Sequence, residues 1–273
     1  MSFAEKSLDE IRAEMNKQYA EGTAYADMVP WDVERMKQIH GNVLELAARP
    51  FGTYATVAPG KNVHARMPER PFGLTLDVGC GQGGIASYWP RKDFLVGVEI
   101  SEVAVEKAKK EHPTVDYHAS AIEDFEYDKK LDTIVAVESI EHWKSVPKGL
   151  DNIRKLIDDN GVFVLTTPNR DSLHARIGRK LGLPVPFCSH DHVYEFGFDE
   201  LIALLHSHGF KVTRSLGACL MPYWALEREF GNKIRRMTDE DATIVKLLGE
   251  AGTNVPHIAF VQCHACVPID VPE

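Results

Sequence analysis

From Leu74 onward short apolar runs alternate with amphipathic stretches, the pattern of a parallel sheet covered on both faces. Runs at Leu74–Val78, Phe94–Glu99, Val115–His118, Thr133–Val137 and Val162–Thr167 predict five strands, and Lys211–Leu216 and Ala259–Val267 predict two more. Between them the 3.6-residue period predicts a helix from a glycine turn through Trp89 and a second over Glu102–Glu111, N-capped by Ser101. Further helices are expected over Val146–Asp158, ending near Gly161, after a capping Asp171 with Leu173, Ile177 and Leu181 on one stripe, and over Asp199–His208, closed by Gly209. Two more, Tyr223–Arg236 and Asp239–Glu250, fill a long insertion before the last strand. Upstream come an amphipathic N-terminal helix, an aromatic-dotted stretch with Tyr19, Tyr25 and Trp31, a helix over Val33–Ala48 and a Pro- and Gly-rich connection, Pro50–Pro71. The expectation is an α/β protein with a helical cap over residues 1–71, a core domain over 72–273 and a helical lid at about 219–256.

A chain of 273 residues suits one large α/β domain with additions, and 44% hydrophobic with 26% charged residues is the composition of a chain that folds by itself. No run approaches the roughly 18 apolar residues of a membrane span, and the acidic N-terminus has no apolar signal core, so a cytoplasmic location is expected. The five cysteines do not form the even set of a disulfide framework. A net charge of −9 disfavours a long nucleic-acid footprint, which needs Lys and Arg against phosphates, while allowing grip on a single terminal nucleotide.

The chemistry begins at Asp77-Val78-Gly79-Cys80-Gly81-Gln82-Gly83-Gly84, between a predicted strand and a predicted helix. Such glycines permit a tight turn and close approach of a ligand to the backbone. Gly79, Gly81 and Gly84 satisfy the dinucleotide G-x-G-x-x-G pattern, and Glu99 follows Gly79 by 20 residues, where an acid can bind a ribose diol. Asp77 argues against a nicotinamide cofactor: a carboxylate repels pyrophosphate at this turn and attracts an ammonium group.

LDVGCGQGG, VGVEIS, HASAIEDF and LDTIVAVESIEHW occur in the order found in class I S-adenosylmethionine methyltransferases, which the chain resembles over about residues 72–170. The resemblance implies a Rossmann-like seven-stranded sheet, mostly parallel with an antiparallel final strand, and S-adenosylmethionine as cofactor. It implies that Asp77, Gly79, Cys80 and Gly81 line the methionine end, that Glu99 and Ile100 lie at the ribose, and that Ser120, Ala121 and Ile122 flank the adenine. Ser120 stands where this family often has Asp.

The fourth strand runs into Glu138-Ser139-Ile140-Glu141-His142, at the carboxyl end of the sheet where ligands bind in open α/β folds. If this segment begins a helix, Glu138, Glu141 and His142 share an arc of about 100°. Two carboxylates and an imidazole so directed form part of a divalent-cation shell. A fourth ligand is expected in Ser189-His190-Asp191-His192-Val193-Tyr194-Glu195-Phe196. E-x-x-E-H followed by D-H-x-aromatic-E-aromatic resembles the metal-dependent small-RNA 3′-terminal 2′-O-methyltransferases, which implies Glu138, Glu141, His142 and His192 as ligands of Mg, Mn, Fe, Co or Zn. Phe196 stands where those enzymes have tryptophan. E-x-x-E-H also resembles the O-methyltransferases of ubiquinone synthesis, whose acceptors are catechol-like.

Two chemistries stay open: a cation lowering the pKa of an acceptor hydroxyl, or His142 or His192 acting alone as general base, with Glu138 a cofactor contact. The expected activity is O-methylation of a small hydroxylated acceptor, a vicinal diol or catechol. The alternatives are metal-free N- or C-methylation, methylation of an RNA 3′-terminal ribose, and a non-catalytic cofactor-binding protein. Neither the acceptor nor the number of subunits is specified. Cys263-His264-Ala265-Cys266 has C-x-x-C spacing, but residues three apart on a strand face opposite ways. Arg170, Arg176, Arg179 and Lys180 read either as a solvated helix face or as an anion site. Tyr19, Tyr25 and Trp31, and Met221, Tyr223, Trp224, Leu226 and Phe230, are candidates to shape the acceptor pocket.

Overall fold

The computed structural model describes residues 5–22, 30–48, 72–185, 188–189, 191–220 and 239–270. Seven strands are present: β1 (Thr75–Val78), β2 (Leu95–Glu99), β3 (Asp116–Ala119), β4 (Leu131–Val137), β5 (Ile157–Pro168), β6 (Phe210–Ala218) and β7 (Val261–Pro268). They form one sheet of order β3-β2-β1-β4-β5-β7-β6. Every neighbouring pair is parallel except those of β7, which runs antiparallel to both β5 and β6. The expected antiparallel final strand is therefore inserted beside β5, and β6 forms the edge.

Alternation along the strands sends residues into two cores, one on each face. Val135, Val162 and Val164 join one cluster, while Ile134, Phe163 and Leu165 join the other. Cys263 belongs to the first and Cys266 to the second, so the C-x-x-C pair is split across the sheet as its spacing predicts.

Seven α-helices are described: α1 (Leu8–Glu21), α2 (Pro30–Ala47), α3 (Glu102–Glu111), α4 (Val146–Leu156), α5 (Leu173–Lys180), α6 (Phe198–Ser207) and α7 (Asp239–Thr253). Helix α1 opens on a Ser7/Glu10 capping box and ends at Gly22 in the left-handed conformation, φ 72°. It docks on α3 through Asn16, whose Oδ1 accepts from Ser101 Oγ at 2.8 Å and from Val103 N–H at 3.2 Å. Helix α2 buries Ile39, Val43 and Leu46 and packs against β5, β6 and β7.

Three local expectations are corrected. After the glycine turn there is no α-helix through Trp89 but a 3-10 turn, Ile85–Ser87, bracketed by Gly83 and Gly84 before it and Pro90 after it. The backbone there lacks the helix N-terminus on which pyrophosphate binding relies, a second reason to set aside a nicotinamide cofactor. Ser172, not Asp171, caps α5 by accepting Ala175 N–H at 3.3 Å, while Asp171 pairs with Arg179. Strand β5 begins at Ile157, earlier than expected, because that residue already pairs with Leu131 before a register shift. The expected helix Tyr223–Arg236 and the connection Pro50–Pro71 lie outside the described residues. Among the described residues no helix is long and apolar enough to cross a membrane.

Two glycines test the packing with opposite signs. A Cβ on Gly217 would lie 2.2 Å from the Gly252 carbonyl oxygen and 2.5 Å from Ala259 Cβ, whereas one on Gly41, inside α2, meets nothing within 4 Å. Gly217→Ala is expected to destabilise the protein by about 1–3 kcal/mol through overpacking. Gly41→Ala should stabilise it by about 0.5–1 kcal/mol through helix propensity. Urea midpoints at constant m-value check both, and shifts of equal sign would refute the proposed packing of α7 against β6.

Candidate active site

The reversal of strand order beside β1 creates a crevice at the carboxyl ends of β1, β2 and β4. The glycine turn crosses it in a conformation closed to most side chains, with φ of 73° at Gly79, 51° at Gly81 and 90° at Gly83. Gly79 and Cys80 N–H groups hang from the Val98 carbonyl at 2.8 and 3.1 Å. A Cβ on Gly79 would stand 2.3 Å from Ser139 Oγ, so this glycine also lets the segment after β4 close against the turn. Glu99 fastens the other side: its carboxylate accepts Gly81 N–H at 3.2 Å and Ser101 N–H at 3.0 Å.

A cavity of about 1010 Å³ opens above the turn. Asp77, Gly79, Cys80, Glu99, Ile100, Ser120, Ala121 and Ile122 line it, as do Glu138, Glu141, His142 and His192, so both halves of the sequence-predicted site share one chamber. Gly81 lies outside that wall, its N–H spent on Glu99. Asp77 is 3% exposed, and burial, reinforced by the charge of Glu99, pushes its carboxyl up to about 7. It has no hydrogen-bond partner among the described residues. Burial raises Glu99 as well, opposed by the N–H groups of Ser101, Gly81 and Ile100.

Past β4 the helical arc expected from Glu138 to His142 does not form. Glu138 takes a left-handed φ of 48°, and only Ile140–His142 make a 3-10 turn. Glu138 therefore points elsewhere: Thr166 Oγ1 donates to its Oε1 at 3.0 Å and Arg35 Nη1 to its Oε2 at 2.8 Å. The remaining three residues converge. Glu141, His142 and His192 each offer a ligand atom within 4.8 Å of the others, and the two rings stand edge to face with centroids 4.9 Å apart. Glu141 is buried and accepts from Thr167 Oγ1 at 2.9 Å; burial and the nearby Glu138 charge push its carboxyl well up. Burial also depresses His142.

The second histidine arrives on a loop suspended from the first segment, with Val193 and Tyr194 N–H groups donating to the Glu141 carbonyl at 2.8 and 3.2 Å. His192 Nδ1 lies 2.8 Å from Glu195 Oε1, and His142 Nδ1 lies 3.3 Å from the Asp191 carbonyl oxygen. The set can hold a divalent cation: one carboxylate and two imidazoles, each imidazole with an outer oxygen partner, in a water-accessible chamber. His190 lies outside the described residues.

Arg35 and Glu195 escaped sequence reasoning. Arg35 meets Glu138 across 103 positions with no motif to mark it. Glu195 belongs to the D-H-x-aromatic-E-aromatic pattern but carried no role. The basic cluster is largely internal: Arg170 pairs with Glu200, Arg179 with Asp171, and Arg176 donates to the Asp171 carbonyl. Of the candidate aromatic residues, Tyr19 lines the cavity and is buried. Tyr25, Met221, Tyr223, Trp224, Leu226 and Phe230, and the side chain of Trp31, are outside what is described.

Comparison with known proteins fits this geometry. The chain is 27% identical over 166 residues to a ubiquinone biosynthesis O-methyltransferase of Nitrobacter winogradskyi, covering 56% of this chain and 64% of that one. It is 36% identical over 100 residues to the protein of that name from Rickettsia akari, covering 35% and 40%. The matches thus span less than two thirds of either relative. In structure the chain resembles magnesium protoporphyrin IX methyltransferase from Synechocystis PCC 6803 with bound SAH, at a TM-score of 0.54 and 14% identity, over 96% of this chain and 100% of that one. A family model described as a methyltransferase domain matches residues 51–215, and the chain belongs to that family as a class I, S-adenosylmethionine-dependent methyltransferase.

Proposed function

We propose that this methyltransferase acts on a hydroxyl oxygen of a small acceptor, a vicinal diol or catechol, with a divalent cation held by Glu141, His142 and His192. The observation that carries this reading is the convergence of these three side chains within 4.8 Å inside the chamber that Asp77 and Glu99 also line. Likeness to ubiquinone biosynthesis O-methyltransferases supports oxygen as the methylated atom. The net charge of −9 and the internal pairing of Arg170 and Arg179 favour a small acceptor over an RNA terminus.

S-adenosylmethionine supplies an electrophilic methyl group. Asp77, buried with no hydrogen-bond partner among the described residues, suits its ammonium group, and the second lone pairs of the Glu99 carboxylate, whose two oxygens each accept a backbone N–H, suit the ribose hydroxyls. Gly79 and Cys80 form the methionine wall with Gly81 behind them, and Ile100, Ser120, Ala121 and Ile122 the nucleoside wall. A cation at the three-residue set would hold two adjacent acceptor oxygens and lower a hydroxyl pKa. Glu138 belongs with Arg35 rather than with the ligands. Helices α1 and α2 act as a cap on the 72–273 domain, since Tyr19, Arg35 and Met36 line the chamber, while residues 221–238 of the lid expected over about 219–256 lie outside the described residues.

One observation favours a second reading, N- or C-methylation without metal. Capture of Glu138 by Arg35 leaves three ligands instead of four, and a Glu195-oriented His192 is equipped as a general base.

Calorimetric titration of Mg, Mn, Co and Zn into metal-stripped protein saturated with S-adenosylhomocysteine separates the readings. Uptake of about one cation, lost in Glu141→Ala and His192→Ala with cofactor affinity intact, is expected. Full activity in chelator, with no uptake, would select the general base.

Asp77 yields a pH prediction. Its folded carboxyl titrates at about 7 against an ordinary 3.8, so the ligand-free folded state binds the extra proton between those values. Stability from this group is greatest below the unfolded value and falls as pH rises toward 7, with a slope of about 1.4 kcal/mol for each pH unit crossed between the two values. Asp77→Asn should flatten that slope and weaken cofactor binding. Binding of the ammonium-bearing ligand to wild type near pH 6 should release protons, measured as a dependence of binding enthalpy on buffer ionisation enthalpy. Proton uptake would exclude an ammonium at Asp77.

A further inference from the structure

We propose that Glu195 is a positioning residue that fixes which nitrogen His192 presents to the chamber, an inference that rests on reading His192 as a site residue but not on the choice between metal and general base. Glu195 and His192 are both deeply enclosed, their side chains 6% exposed, with Oε1 2.8 Å from Nδ1. The same oxygen accepts the Cys188 N–H. Glu195 is held from both sides along the chain. Before it, Val193 and Tyr194 hang from the Glu141 carbonyl; after it, Phe196 bridges to Asn169 just beyond β5, and its carbonyl accepts the Gln262 amide at 3.0 Å. Swinging the carboxylate away would leave Glu195, itself buried, without the partners it has at His192 and Cys188.

An ionised carboxylate can only accept, so in the neutral ring the proton sits on Nδ1 and Nε2 keeps its lone pair. That lone pair is what either reading requires: a cation ligand, or the acceptor of a substrate proton. The same loop treats His142 alike, with the Asp191 carbonyl oxygen at its Nδ1. Residues 191–195 thus set the tautomer of both histidines.

The test uses full-length protein with ¹⁵N-labelled histidine, stripped of metal, near pH 8.5, about two units above the ordinary imidazole value. His192 is assigned by loss of its signals in His192→Gln. Two-bond ¹H–¹⁵N spectra should show wild-type His192 protonated at Nδ1. Glu195→Gln, whose amide oxygen still accepts, should retain that tautomer, and Glu195→Leu should move the proton toward Nε2 while S-adenosylhomocysteine affinity stays unchanged. Should the Leu variant fail to fold, Glu195→Asp, which withdraws the carboxylate by one methylene, is read the same way. Wild-type His192 protonated at Nε2, or a tautomer indifferent to Leu or Asp at position 195, would overturn the proposal. In a second arm, Co(II) affinity should fall about 10–100-fold in the Leu variant and less in the Gln variant. Absence of Co(II) uptake by wild type would remove the metal reading, and the spectra would still decide the role of Glu195.

Discussion

The close approach of Gly79 to Ser139 is the constraint on which the rest of the site depends. With no Cβ at Gly79, the segment after β4 sits directly on the glycine turn, and Ser139 Oγ is left to accept the Trp143 indole N–H at 3.0 Å. That contact fixes both ends of the 3-10 turn carrying Glu141 and His142. The glycine turn is in its own right tied to β2 through the Val98 carbonyl and the Glu99 carboxylate. The glycine turn and the segment carrying Glu141 and His142 are thus two faces of one packed unit, in which Gly79 has no room for an added carbon beside the Ser139 side chain.

The electrostatics follow from gathering so many acids in one chamber. Each carboxylate lining it but one has compensation: backbone N–H groups for Glu99 and Glu123, Arg35 for Glu138, a threonine hydroxyl for Glu141, a serine hydroxyl for Asp191. Asp77 is the exception among the described residues, and its raised carboxyl is the physical trace of that unmet need. A chamber built this way is less stable than it would be with a neutral side chain at position 77, because a buried carboxyl without a hydrogen-bond partner costs free energy.

Much of the architecture could be read from the chain because it is written in local periodicity. The apolar runs marked all seven strands, and Ser101 marked the start of α3, where its hydroxyl indeed accepts Ala104 N–H. The helix expected through Trp89 failed because three glycines and Pro90 outweigh a short apolar stripe. The arc expected of Glu138, Glu141 and His142 failed for a related reason: it assumed helical dihedrals, and Glu138 turns left-handed. The Arg35–Glu138 pair lies beyond any local rule, since it depends on how α2 crosses the sheet. Glu195 was visible as a letter in a motif, but its role required knowing that the loop folds back on itself.

The suspension of Val193 and Tyr194 from the Glu141 carbonyl carries a dynamic consequence. Glu141 contributes a side chain to the donor cluster and, through its own peptide, the hook for the loop that brings His192. A displacement of that peptide would carry both groups along and change their mutual separation little. The cluster keeps its spacing by riding on a shared peptide, in a region where the surrounding loop need not be stiff.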